Sequence, residues 1–70
     1  MSMTMKIKIA LLKRNMTITE LARQLNCTPQ NLSGKLRRDN FSEKELQEIG
    51  NILNCRFEGK FILNDTGEEI

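Results

Sequence analysis

The chain has 70 residues, 39% of them hydrophobic and 29% charged, with three phenylalanines, no tyrosine, tryptophan or histidine, and a net charge of +2. A chain this short makes one domain with a mainly aliphatic core and leaves no room for a deep substrate cavity. Without histidine, a glycine-rich phosphate loop or a convergent carboxylate cluster, the usual residues of acid-base and metal-assisted chemistry are missing, so neither an enzyme nor a bound cofactor or metal is expected.

The first residues mix polar side chains with methionines, and Lys6 and Lys8 break the nearby apolar stretch, which reads as neither a secretory signal nor a membrane span. A cytoplasmic setting is therefore expected, with Cys27 and Cys55 as free thiols, since two lone cysteines without histidine make no ordinary zinc site.

In chain order, Met5, Ile9, Leu12 and Met16 recur at helical spacing and predict an amphipathic helix over about Thr4 to Arg14, with this stripe turned inward and Asn15 as a left-handed C-terminal cap. Thr17 and Glu20 form a capping box that opens a second helix. Met16 and Leu21 staple it, Ile18, Leu21, Ala22 and Leu25 form its inner stripe, and Asn26 closes it after about nine residues. A third helix follows a tight turn, with Thr28 as N-cap and Pro29 at the first helical position, and ends near Arg38 or Asp39. Ser42 with Glu45 makes a second capping box, Phe41 and Leu46 a second staple, and Leu46, Ile49 and Leu53 continue the stripe to Asn54. Leu-Asn-Cys occurs at 25–27 and again at 53–55, each time leaving a helix, so each cysteine is read as a small apolar residue folding back on the last turns.

Beyond Cys55 the pattern alternates. Phe57, Gly59, Phe61 and Leu63 share one face and Arg56, Glu58 and Lys60 the other, which predicts a strand; Asn64 to Gly67 is a turn, and Glu68 to Ile70 could begin a return. Such a strand lies on the helices, pairs with a second copy, or both. Phe57, Phe61 and Leu63 are the residues expected at a dimer interface. The resulting fold class is mainly α: four helices over residues 1–55 and a short C-terminal β-strand or hairpin over residues 56–70, in one domain overall.

The second and third helices make a helix-turn-helix candidate. With Leu32 and Leu36 turned to the core, Gln30, Gly34, Arg37 and Arg38 fall on the opposite side of the third helix and Asn31 and Ser33 flank them, a face without a carboxylate. Amides can pair with adenine edges and arginine with guanine, so this face suits double-stranded DNA. Charge placement adds to this: residues 1–40 hold eight Lys and Arg against Glu20 and Asp39, a balance of +6, whereas residues 41–70 hold three against seven carboxylates, a balance of −4.

The run from Met16 to Ser33, with Glu20-Leu21-Ala22 inside a capped helix and a turn leading to Thr28-Pro29-Gln30, resembles the lambda repressor-like, or Cro/repressor-type, helix-turn-helix family, and the likeness covers about residues 5–55. It implies a small DNA-binding transcriptional regulator, commonly dimeric and often a repressor, with the third helix in the major groove and the second across the backbone. Carried over, base reading falls to Gln30, Asn31, Ser33, Gly34 and Arg37, and phosphate contacts to Thr17, Thr19, Thr28, Lys35, Arg38 and Asn40. The chain departs from the pattern at Ile18, where many members carry a phosphate-gripping glutamine, at Asn26, where a glycine is usual, and in having four helices where many have five. An alternative is a protein-protein adaptor or antitoxin-type module that uses the strand as its docking edge, favoured by the acidic second half.

Overall fold

A computed structural model describes residues 2–70. Four helices, α1 (Met3–Lys13), α2 (Ile18–Gln24), α3 (Pro29–Arg38) and α4 (Glu43–Ile52), are followed by β1 (Cys55–Phe57) and β2 (Phe61–Leu63). The capping grammar holds in detail. Thr17 Oγ1 accepts from the Glu20 amide and Glu20 Oε1 from the Thr17 amide, at 3.1 and 3.2 Å, and Ser42 and Glu45 repeat the exchange at 3.1 and 2.9 Å. Thr28 accepts from the Asn31 amide, with Pro29 at the first position of α3.

Every helix ends in a left-handed residue: Asn15, Asn26, Asp39 and Asn54 have φ between 52° and 59°. In the tight link between α2 and α3 the Asn26 and Cys27 amides donate back to the Arg23 and Ala22 carbonyls at 3.2 and 3.0 Å, which satisfies the last turn of α2 and swings the chain directly into α3. Cys27 packs against the core from this position, and Cys55 is buried after the matching turn at Asn54. Both are free thiols, and burial pushes the Cys55 thiol up.

One core joins all the elements. Ile7, Ala10 and Leu11 of α1, Leu21 and Ala22 of α2, Leu32 and Leu36 of α3, Leu46 and Ile49 of α4, and Leu53, Cys55, Phe61 and Leu63 beyond it form a single buried cluster. The stripe expected on α1 is corrected here. Met5 is 49% and Leu12 79% exposed, Ile9 only half-buried, and the buried side is the opposite one. Both sides of this helix carry apolar residues, so spacing alone admitted two orientations. The orientation adopted buries Ile7, Ala10 and Leu11, and it brings the Arg14 side chain to the end of α4 and the C-terminal turn.

The C-terminal element is a hairpin, one of the two forms expected, but its turn falls at Gly59 inside the run read as one strand. Cys55 pairs with Leu63, Arg56 with Ile62 and Phe57 with Phe61, in antiparallel register around Gly59 at φ 71°. The return after Asn64 to Gly67 is a single bridge between Ile62 and Glu69, with the Ile70 amide on the Phe61 carbonyl at 2.9 Å. With β1 on one edge of β2 and this return on the other, all three β2 side chains are buried, so alternation is lost.

The hairpin lies on the helices. Gly50 of α4 lets it come close, since a Cβ there would stand 3.0 Å from the Cys55 carbonyl oxygen. Phe61 is fully buried and Leu63 4% exposed in the chain's own core, which takes both side chains out of the expected dimer interface, since they are already covered within one chain. Phe57 is half-buried, its ring 5.1 Å from that of Phe61.

Candidate nucleic-acid interface

Thr28 and Pro29 start α3 and Asp39 stops it, which leaves a ten-residue helix with one committed side. Leu32 is 1% and Leu36 4% exposed, and both belong to the core cluster. The side away from them presents Gln30, Asn31, Ser33, Arg37 and Arg38, all exposed. Among the described residues their side chains have no intramolecular hydrogen bond or ion pair; the bond at Asn31 is made by its backbone amide. Amides, a hydroxyl and guanidinium groups therefore face solvent together on a rigid helix, as a surface that reads donor and acceptor patterns needs.

Gly34 lies on this side but is buried, because the Arg38 guanidinium covers it: a Cβ on Gly34 would sit 3.3 Å from an Arg38 terminal nitrogen and near no other residue. A base edge or phosphate reaches the Gly34 backbone only when Arg38 swings aside, a motion open to an exposed arginine. Lys35 departs from the expected placement. It turns toward α4, half-buried, and pairs with Glu45, whose carboxyl this hydrogen bond, and then that of the Ser42 amide, hold below the ordinary carboxylate range. Lys35 thereby ties α3 to α4, and its ammonium is not free on the outer face. Thr17 and Thr28 hydroxyls are engaged as caps, while Thr19 and Asn40 are exposed without a side-chain partner among the described residues.

Two clamps tie α1 to distant parts of the chain, one to the end of α3 and one to the end of α4 and the C-terminal turn. At its C-terminal end Asp39 Oδ1 accepts from the Thr4 amide and hydroxyl at 2.8 and 2.9 Å, and the Thr4 hydroxyl lies 2.6 Å from the Leu36 carbonyl, so the end of α3 is bound to the start of α1. At the other end of α1, Arg14 Nε donates to the Leu53 carbonyl at 2.7 Å, and its terminal nitrogens donate to the Asn54 carbonyl and to both oxygens of Asp65. Neither pair is close in sequence, so no local pattern signals them.

The strongly basic first half is thus less basic at its surface than its count suggests. Lys13 pairs with Glu68 and Arg14 with Asp65 on the hairpin side, Lys35 pairs with Glu45, and Lys6 donates to the Gly59 carbonyl at 3.4 Å. Lys8, Arg23, Arg37 and Arg38 keep free charges among the described residues, all exposed. Lys8 of α1 was not among the expected site residues. It borders a cleft of about 250 Å³ with Ile18, Ser33, Leu36 and Arg37, which brings α1 to the rim of the α3 face. The one signal for it in the sequence was its place on a helix whose inner side was read the other way round.

Among the described residues no helix is long and apolar enough to cross a membrane. A family model described as the Cro/C1-type HTH DNA-binding domain matches residues 6–59, from the first turn of α1 through the hairpin turn. No curated protein and no solved structure matches the chain.

Proposed function

Because the chain belongs to the Cro/C1-type helix-turn-helix DNA-binding family, we propose that it is a sequence-specific transcriptional regulator, acting as a repressor, that lays α3 in the major groove of double-stranded DNA. The observation that carries this reading is the divided α3: Leu32 and Leu36 lie in the core, while Gln30, Asn31, Ser33 and Arg37 stand in solvent with no side-chain partner among the described residues. In this reading those four residues, with the Gly34 backbone, meet base edges. Arg38, swung off Gly34, goes to a phosphate together with Thr17, Thr19, Thr28 and Asn40. Lys35 acts by holding α3 on α4.

A two-fold dimer is part of the proposal. At about 1.5 Å rise per residue, a ten-residue helix spans only about 15 Å, enough for one half-site, and a second copy one turn of DNA away supplies the rest of the discrimination. Its contact surface excludes the Phe61 and Leu63 side chains, and so does any docking edge of the adaptor kind. The acidic second half is also a weaker argument for an adaptor, since Glu45, Asp65, Glu68 and Glu69 are engaged by lysine or arginine within the chain.

Selection of bound duplexes from a random library tests the proposal. Recovery of a palindromic site, with affinity that falls steeply as salt rises, is the expected result. Failure to bind any duplex at low salt overturns it.

A further inference from the structure

We propose that Lys8 of α1 completes a phosphate seat with Ser33 and Arg37 of α3, so that α1 as well as the helix-turn-helix grips the DNA backbone. The inference rests on the DNA-binding reading above, moves Ser33 and Arg37 from the base edges to the backbone beside them, and adds a contact from α1, to which none was assigned. Lys8 and Arg37 border the same cleft, of about 250 Å³, with Ser33 also on its wall and Ile18 and Leu36 as its apolar lining. No carboxylate lines it. Lys8, Ser33 and Arg37 are all exposed, and none has an ion-pair or side-chain hydrogen-bond partner among the described residues.

The rest of the molecule makes this arrangement informative. Lys6, Lys13 and Arg14, the other cations of α1, all reach the hairpin and its return, and Lys35 reaches Glu45. The chain neutralises its cations where they have a structural task and leaves these two side by side. Two like charges on one cleft repel each other, and a bound anion of the opposite sign reverses that cost. Ser33 adds a hydroxyl donor, and the apolar lining from Ile18 and Leu36 keeps part of the hydration shell away, which strengthens both charge-assisted bonds. A phosphodiester fits this chemistry: a singly charged group with two free oxygens, one for the ammonium and one for the guanidinium or hydroxyl. Because the cleft adjoins the outer face of α3, the phosphate it holds belongs to the strand bordering the groove that α3 enters.

Lys8→Gln tests the seat, with Lys60→Gln as a charge-matched control in the hairpin turn, where Lys60 pairs with Glu69. Both variants are checked for unchanged melting and titrated with the selected duplex across a salt series. Lys8→Gln is expected to weaken binding roughly five- to tenfold at 0.1 M salt, to flatten the slope of log affinity against log salt by about 1, and to leave base preference unchanged, while Lys60→Gln keeps the wild-type slope. Combining Lys8→Gln with Arg37→Gln is expected to cost less than the product of the single losses, since both act on one phosphate. Wild-type duplex binding with an unchanged Lys8→Gln slope, or with equal flattening in Lys60→Gln, overturns this seat and leaves the proposed function standing. Absence of duplex binding by the wild type overturns both. Free inorganic phosphate separates the sources: movement of the Lys8 side-chain resonances by stoichiometric duplex but not by equimolar phosphate supports a backbone contact, and equal movement by both overturns it in favour of a simple anion site.

Discussion

The outer face of α3 and the C-terminal hairpin with its return are both rich in polar side chains, but they use them in opposite ways. At the hairpin end Lys13, Arg14 and Lys60 are matched with Glu68, Asp65 and Glu69, and Arg14 also saturates two backbone carbonyls. On α3 the side-chain amides and guanidinium groups are matched with nothing among the described residues. Polar groups that hold a fold together satisfy one another, whereas polar groups meant for a partner stand ready in solvent on a rigid element. The comparison teaches that the raw charge of a segment is a poor guide to its partner. Among the described residues, half of the cations in residues 1–40 are engaged inside the molecule, and three of the four that remain free, Lys8, Arg37 and Arg38, lie on or beside one face.

Each side of this contrast can be tested by substitution. Leu32→Ala removes the inner anchor of α3. At 1% exposure it is expected to lower unfolding free energy by about 3 kcal/mol in urea denaturation, with DNA binding lost because the helix is no longer held. Gln30→Ala, on the opposite side of the same helix, should leave the urea midpoint in place while changing the selected sequence at one base pair, with discrimination there reduced by about 1–3 kcal/mol. Equal stability loss in both variants would erase the distinction between the two sides.

Gly34→Ala separates fold from function at one position. The added methyl meets only the flexible end of Arg38, so stability should rise by up to about 1 kcal/mol, the helix-propensity difference between the two residues, while duplex affinity falls if DNA approaches the Gly34 backbone. A more stable variant with unchanged affinity would show that Gly34 is slack. Smallest is Asp65→Asn on the hairpin side. Hydrogen bonding from Arg14 holds the Asp65 carboxyl below its ordinary value, so its stabilisation is present above that value and is lost as pH falls through the lowered one. The variant should melt below wild type at neutral pH, with the gap closing as pH drops below about 4. A gap that persists in acid would mean that Asp65 acts by something other than its charge.

Local chemistry made much of this protein legible. Thr17 with Glu20, Thr28 with Pro29, and Ser42 with Glu45 announce three helix starts because a cap satisfies amides only three residues away. Asn15, Asn26 and Asn54 announce three ends because asparagine tolerates the left-handed conformation. The outer face of α3 followed from the same local rule once Leu32 and Leu36 were assigned inward. Asp39, which ends α3, was harder to see, since its left-handed turn is supported from Thr4 across the fold.

What only the tertiary structure decided is what depends on a distant partner. The side of α1 that is buried carries Ile7, Ala10 and Leu11 into the shared core and brings Arg14 to Leu53, Asn54 and Asp65, although helical spacing fits Met5, Ile9 and Leu12 equally well. The run from Phe57 to Leu63 turns at Gly59 rather than continuing as one strand, and β2 is then enclosed by β1, by the return and by the helices at once, which buries Phe61, Ile62 and Leu63 together. Lys35 left the α3 face for Glu45, and Lys8 came to that face, through packing between helices that no window of sequence contains. Periodicity and capping act over a few residues of chain, whereas a charge is satisfied by whatever lies near it in space; the first can be read along the sequence, and the second exists only once the chain has folded.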